Sequence, residues 1–78
     1  MKRHKITIED KRYRGTLRLS LSESEFNLLQ ENMKKYPGDD NWALWEMMKN
    51  DKVCSKYHYY TISRNFYNLT YIKITFLQ

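Results

Sequence analysis

Residues 21–26 read Leu-Ser-Glu-Ser-Glu-Phe, and this stretch marks the change from a strand pattern to a helix pattern in the chain. Ser22 and Glu25 have the spacing of a capping box, in which each side chain accepts a hydrogen bond from the other residue's backbone N–H. Leu21 and Phe26 flank the box as a hydrophobic staple, which fixes the angle at which the chain enters a helix. A helix is therefore predicted to begin at this point.

The residues after the capping box predict two consecutive helices. The first covers about 23–35, because apolar residues recur there at helical spacing and form a stripe that can face a core. The members of this stripe are Phe26, Leu29, Met33 and Tyr36. The Pro-Gly pair at 37–38 ends the first helix. Asp39 or Asp40 can cap a second helix that extends to about Asn50.

Strand patterns lie on both sides of the helices. Residues 4–9 and 13–21 alternate between apolar and polar side chains, as expected for a hairpin with one buried face. Residues 56–63 are rich in strand formers, and residues 69–77 alternate again. The predicted fold is an α+β domain of order ββααββ, with a four-stranded, mainly antiparallel sheet and both helices packed on one face.

Length and composition limit the class of protein. The 78 residues are expected to form one domain, residues 1–78, with little room for a deep substrate cleft. The single cysteine, Cys54, excludes an internal disulfide and indicates a reducing compartment. No apolar run is long enough to span a membrane, so the protein is expected to be cytoplasmic. One alanine against nine lysines and six asparagines suggests an AT-rich genome, such as that of a phage.

Charge is unevenly distributed along the chain. Residues 1–20 contain seven basic and two acidic side chains, and residues 52–78 contain four basic and no acidic ones. Residues 21–51, which include both predicted helices, contain seven acidic and three basic side chains. The predicted strands are therefore basic and the predicted helices acidic.

This distribution predicts a binding surface on or beside the polar face of the sheet. Basic groups between tyrosine rings can follow a phosphate backbone while the rings stack on bases, or they can dock an acidic protein surface. The candidate contacts are Lys5, Arg14, Arg18, Tyr57, Tyr59, Arg64, Tyr71 and Lys73. An ordinary solvated sheet face has similar residues, and the pattern does not decide which face of residues 56–63 is buried.

Apolar residues of the second predicted helix form another candidate surface. Trp42, Trp45 and Met48 cover more than one narrow stripe of this helix, so part of them can dock a partner, including a second copy of the chain. Packing in the core is the simpler explanation.

Few residues suggest catalysis or metal binding. Cys54 and His58 are spaced like half of a metal site, but the only other histidine is His4, so a buried cysteine and a strand histidine explain them better. The acidic residues of the first helix, Glu23 and Glu25 among them, fit favourable first-turn charges and a solvated face. No catalytic residue, metal site or cofactor is expected.

Three functional hypotheses follow. The first is a stoichiometric inhibitor or adaptor, encoded by a phage or mobile element, that binds a nucleic-acid-handling or defence protein of the host. The second is direct nucleic-acid binding by the basic, tyrosine-bearing sheet face. The third is a small enzyme or metal protein, which has the least support.

Overall fold

The structure is a computed structural model that describes residues 3–12, 15–66 and 71–77. These residues form three strands and three helices. The elements, in chain order, are β1 (His4–Asp10), β2 (Thr16–Leu21), α1 (Glu23–Lys35), α2 (Asp40–Lys49), α3 (Lys56–Asn65) and β3 (Ile72–Phe76). The sheet has the order β2-β1-β3, and both pairs of strands are antiparallel.

One face of the sheet packs against the helices. Ile6 and Ile8 of the central strand are fully buried there. They belong to the same apolar cluster as residues from all three helices, which places the helices on one side of the sheet. Typical helical members of this cluster are Leu29 of α1, Leu44 of α2 and Ile62 of α3.

The predicted four-stranded sheet with two helices is wrong, because residues 56–63 lie in helix α3 and not in a strand. Ser55 is the N-cap of this helix and accepts a hydrogen bond from the His58 N–H at 3.2 Å. His58, Ile62 and Phe66 recur at every fourth residue and are buried, so the helix turns one stripe toward the core. The tyrosines favour a strand, but this preference is small compared with the free energy gained by burying His58, Ile62 and Phe66.

The other elements agree more closely with the sequence. α1 has the predicted bounds and a complete capping box between Ser22 and Glu25. α2 begins after Asp39, and this residue is the N-cap, which decides between the two predicted caps, Asp39 and Asp40. Residues 13–14 and 69–70 of the two longer predicted strands lie outside the described part of the chain.

Asp40 connects the start of α2 to the outer edge of the sheet. Its Oδ2 accepts a hydrogen bond from the backbone N–H of Ile74 in β3 at 2.9 Å. Because β3 is an edge strand whose other side pairs with β1, this carboxylate occupies a position where another strand could otherwise pair.

None of the helices in the described ranges is long and apolar enough to cross a membrane.

Candidate functional site

A buried carboxylate holds the first and third helices together. Glu25 of α1 is 2% exposed, and its Oε2 lies 2.7 Å from Nδ1 of His58 in α3. The same oxygen accepts the backbone N–H of Ser55 at 3.1 Å, while Oε1 accepts that of Ser22 at 2.9 Å. One side chain therefore satisfies donors at the beginning of both helices. We call Glu25, His58, Ser22 and Ser55 the Glu25 junction.

The environment of Glu25 favours its ionised form. Burial alone would raise its pKa, but the hydrogen bonds from His58, Ser22 and Ser55 and the charge of His58 together lower the pKa below the ordinary value. Glu25 lies in the first turn of α1, as the sequence predicts, but its assignment to a solvated face is wrong because the side chain is buried. Glu25 and His58 are 33 residues apart in the sequence, so no local pattern indicates their contact.

Cys54 lies beside this junction as a buried thiol. Burial, and then the nearby Glu25 carboxylate, raise the pKa of Cys54 to about 11. A thiol with this pKa is almost entirely protonated at neutral pH and is a poor nucleophile.

Cys54 also contributes to a concavity between α2 and α3, which we call the aromatic groove. Trp45 of α2 and Tyr59 of α3 line it, and their exposed fractions are 37% and 40%. The groove has a volume of about 370 Å³. Its full lining consists of Trp45, Met48, Lys49, Asp51, Cys54, Lys56 and Tyr59.

The predicted docking residues of α2 differ in their exposure. Met48 is 4% exposed and belongs to the core, although it borders the groove. Trp45 is 37% exposed and lies at the groove itself. Trp42 is 41% exposed and lies on another part of α2, where its ring contacts Tyr36 edge-on at 6.0 Å and Lys49 Nζ approaches it to 5.8 Å.

Tyr57 and Arg64, predicted as contacts next to the sheet, lie together on the exposed side of α3. They line a shallow concavity of about 470 Å³ with Tyr60, Thr61 and Asn65. Tyr59 belongs to the aromatic groove instead. The prediction that Tyr57 and Tyr59 can join the basic residues of the sheet face is therefore wrong, because both belong to a helix.

The strand residues are placed as predicted. The register pairs Thr7 with Arg18 and Glu9 with Lys73, so these side chains share the face opposite the helices with Lys5. We call this the open face. Lys5, Arg18 and Lys73 are exposed on it.

A further predicted contact lies at one end of the sheet. Tyr71 precedes β3 at the hairpin end of the sheet, where the Arg12 guanidinium lies 4.3 Å from its ring centre. The backbone N–H of Lys11 also donates to the Tyr71 carbonyl at 3.0 Å. Arg14 lies outside the described residues.

The helices are not uniformly acidic, in contrast to the prediction of acidic helices and basic strands. α3 has Lys56 and Arg64 and no acidic residue, so one helix is basic together with the strands. The acidic side chains of the helical layer belong to α1, to α2 and to the segments that follow these two helices.

Within the described ranges, no group of three histidine, cysteine or acidic side chains is arranged to hold a metal ion. Comparison of this chain with protein-family models, curated proteins and solved structures gives no match. The aromatic groove and the open face are two exposed surfaces whose residues suit binding.

Proposed function

We propose that this chain is a small, non-catalytic binding protein that acts stoichiometrically on a protein partner through the aromatic groove. The observation that carries the proposal is that Trp45 and Tyr59, from two different helices, line one concavity and both remain more than a third exposed. Tryptophan and tyrosine are enriched among the residues that dominate the binding energy of protein interfaces. The buried Met48 and Cys54 give the groove an apolar floor.

The chemistry of the groove favours one kind of partner segment. A volume of about 370 Å³ can accept one large apolar side chain. Lys49 and Lys56 also line the groove together with the carboxylate of Asp51. Lys49 pairs with Glu46 at 3.3 Å. The partner segment that fits best has an apolar residue beside an acidic one, since the acidic residue can pair with Lys56 at the rim.

The non-catalytic part of the proposal is supported by Cys54. With a pKa of about 11, roughly one thiol in ten thousand is ionised at pH 7, which is unfavourable for a nucleophile. His58 is also unsuitable as a base for an outside substrate, because it is 5% exposed and its Nδ1 contacts Glu25.

The proposal extends to the partner's class. A composition with one alanine, nine lysines and six asparagines suggests an AT-rich genome, which supports an origin in a phage or mobile element. The partner we propose is a nucleic-acid-handling or defence protein of the host cell.

The test is capture from host lysate with three matched variants. Trp45→Ala and Tyr59→Ala remove groove side chains, whereas Tyr57→Ala removes a more exposed tyrosine of α3 that does not line the groove. We expect a protein to be captured by the wild-type chain and by Tyr57→Ala, and to be lost with both groove variants. Calorimetry with that purified protein should give one chain per partner. Capture that is unchanged by both groove variants would contradict the proposal, and so would a groove that only mediates self-association in sedimentation velocity.

A further inference from the structure

The open face has its highest density of positive charge at one corner. Lys5 of β1 pairs with Ser20 of β2, and Arg18 lies two residues from Ser20 on the same face. Lys5 and Arg18 are therefore diagonal neighbours, close enough for long side chains to meet. Both line a shallow concavity of about 260 Å³, together with Ser20 and Leu77.

A second concavity adjoins the first and adds another cation. It has a volume of about 390 Å³, shares Lys5 and Leu77 with its neighbour, and includes Arg3. The Arg3 guanidinium donates hydrogen bonds to the Oγ and the carbonyl oxygen of Ser20, which hold it beside the first concavity. We call Arg3, Lys5, Arg18 and Ser20 the basic corner.

Among the described residues, the basic corner has no carboxylate of its own. Considering only the described residues, no carboxylate lines either concavity. Like charges at neighbouring cross-strand positions repel each other, so an anion that bridges them gains energy from all three cations. Lys73 continues the positive charge along the same face, and Glu9 is the acidic residue opposite it.

The surface around the corner favours a phosphate backbone over an acidic protein. Protein interfaces depend on a few large apolar or aromatic contacts, and in the described part of this face Leu77 is the one large apolar side chain. A phosphate backbone needs cations and hydroxyl donors, and the face supplies hydroxyls from Thr16, Ser20 and Thr75 between its basic residues.

The same surface also indicates which nucleic acid it fits. Proteins bind single strands through aromatic rings that stack on the bases. Among the described residues, the tyrosines lie on α3, at the hairpin end of the sheet beside Arg12, or, for Tyr36, just after α1. The basic corner therefore has no tyrosine ring for stacking among these residues. We propose that the open face binds the phosphate backbone of double-stranded nucleic acid, without base recognition, through Arg3, Lys5 and Arg18. The open face lies on the other side of the sheet from the aromatic groove, so nucleic-acid binding there does not depend on the proposed protein partner.

The test is fluorescence anisotropy with a labelled 20-base-pair DNA and the single strand of the same sequence. Three phosphate contacts predict a salt slope of about −2.7, so affinity for the duplex should fall roughly 40-fold between 50 and 200 mM salt. Lys5→Gln and Arg18→Gln should each reduce the slope by about one. Lys34→Gln and Lys35→Gln on α1 remove the same charge from exposed positions away from the open face and should leave the slope unchanged.

Three results would overturn this inference. The first is absence of duplex binding at 20 mM salt by the folded wild-type chain. The second is tighter binding of the single strand, which would place the contact on the tyrosine-bearing helix. The third is an equal loss of binding in the α1 controls, which would reflect net charge and not the basic corner. Circular dichroism of every variant establishes that each one is folded.

Discussion

Helices α1 and α3 both begin at a serine N-cap, but they complete their first turns differently. In α1 the capping box is local, because Glu25 returns to the N–H of Ser22 three residues earlier. α3 has no acidic residue in its first turn, and the Ser55 N–H is satisfied by the same Glu25 from another helix. A helix start can therefore depend on a carboxylate supplied by tertiary structure, and α3 should lose its first turn more easily than α1 when that carboxylate is changed.

Replacement of Glu25 should give the largest effect. Glu25→Ala removes the partner of a buried histidine and leaves two helix starts with unsatisfied donors, so we expect a loss of about 3 to 5 kcal/mol in the free energy of unfolding. Guanidinium denaturation followed by circular dichroism measures it. The control is Glu23→Ala in the same turn, which is exposed and should change stability by less than about 1 kcal/mol. Equal losses in the two variants would show that the junction is not a source of stability.

Replacement of His58 should have the second largest effect. His58→Leu fills the same space in the core with an apolar side chain but removes one of the three hydrogen bonds to the Glu25 carboxylate. We therefore expect a loss of about 2 kcal/mol in the free energy of unfolding. The double variant with Glu25→Gln should then show a coupling of about 1 kcal/mol or more. Strict additivity of the two single changes would contradict a direct interaction.

Acid should weaken the junction in a defined direction. The folded-state pKa of Glu25 lies below its ordinary value of about 4.5, so the unfolded chain binds the proton more readily than the folded one. The stability from this group is present above about pH 4.5 and is lost as pH falls through the lowered pKa. The measurement is the free energy of unfolding from pH 7 to pH 3 for wild type and Glu25→Gln. The gap between the two curves should narrow at low pH, and a constant gap would refute this assignment.

The two caps allow a finer comparison of the helices. Ser22→Ala and Ser55→Ala each remove one side-chain acceptor for a backbone N–H and should each cost about 1 kcal/mol. Hydrogen exchange should show the loss of protection confined to the first turn of the helix concerned. Exchange that spreads to the other helix in both variants would mean that the helices open as one unit.

The reaction rate of the Cys54 thiol is a probe of the Glu25 junction, and it should show the smallest of these effects. Its raised pKa and burial predict slow modification by a thiol reagent at pH 8 in the folded chain. Glu25→Gln removes the nearby negative charge, which should lower the pKa of Cys54 and accelerate the reaction. The rate in denaturant, where burial is lost, provides the upper limit. A reaction as slow in Glu25→Gln as in wild type would indicate that burial alone controls the thiol.

The contrast between the helices also explains what sequence reasoning can find. α1 was predictable because Ser22, Glu25 and the apolar stripe lie within one short segment. α3 was missed because Tyr57, Tyr59 and Tyr60 have strand propensity, while the helical evidence is the Ser55 cap and the four-residue spacing of His58 and Ile62. That spacing was visible in the sequence, but the partner of His58 was not.

The candidate surfaces were predictable to different extents. Lys5, Arg18 and Lys73 were placed on one face because a strand has a fixed period of two, and the register then brings Lys5 beside Arg18. The aromatic groove required Trp45 and Tyr59 to meet across two helices, one of which had been predicted as a strand.

The hydrogen bond from Ile74 to Asp40 sets a limit on how copies of this chain can associate. A sheet grows into a filament only if both of its outer strands accept new neighbours. A strand that adds to β3 must displace the Asp40 carboxylate from the Ile74 N–H, where it lies at 2.9 Å, whereas among the described residues no backbone N–H on the outer side of β2 donates to a carboxylate. One aspartate at the start of a helix therefore raises the cost of extending the sheet on the β3 side.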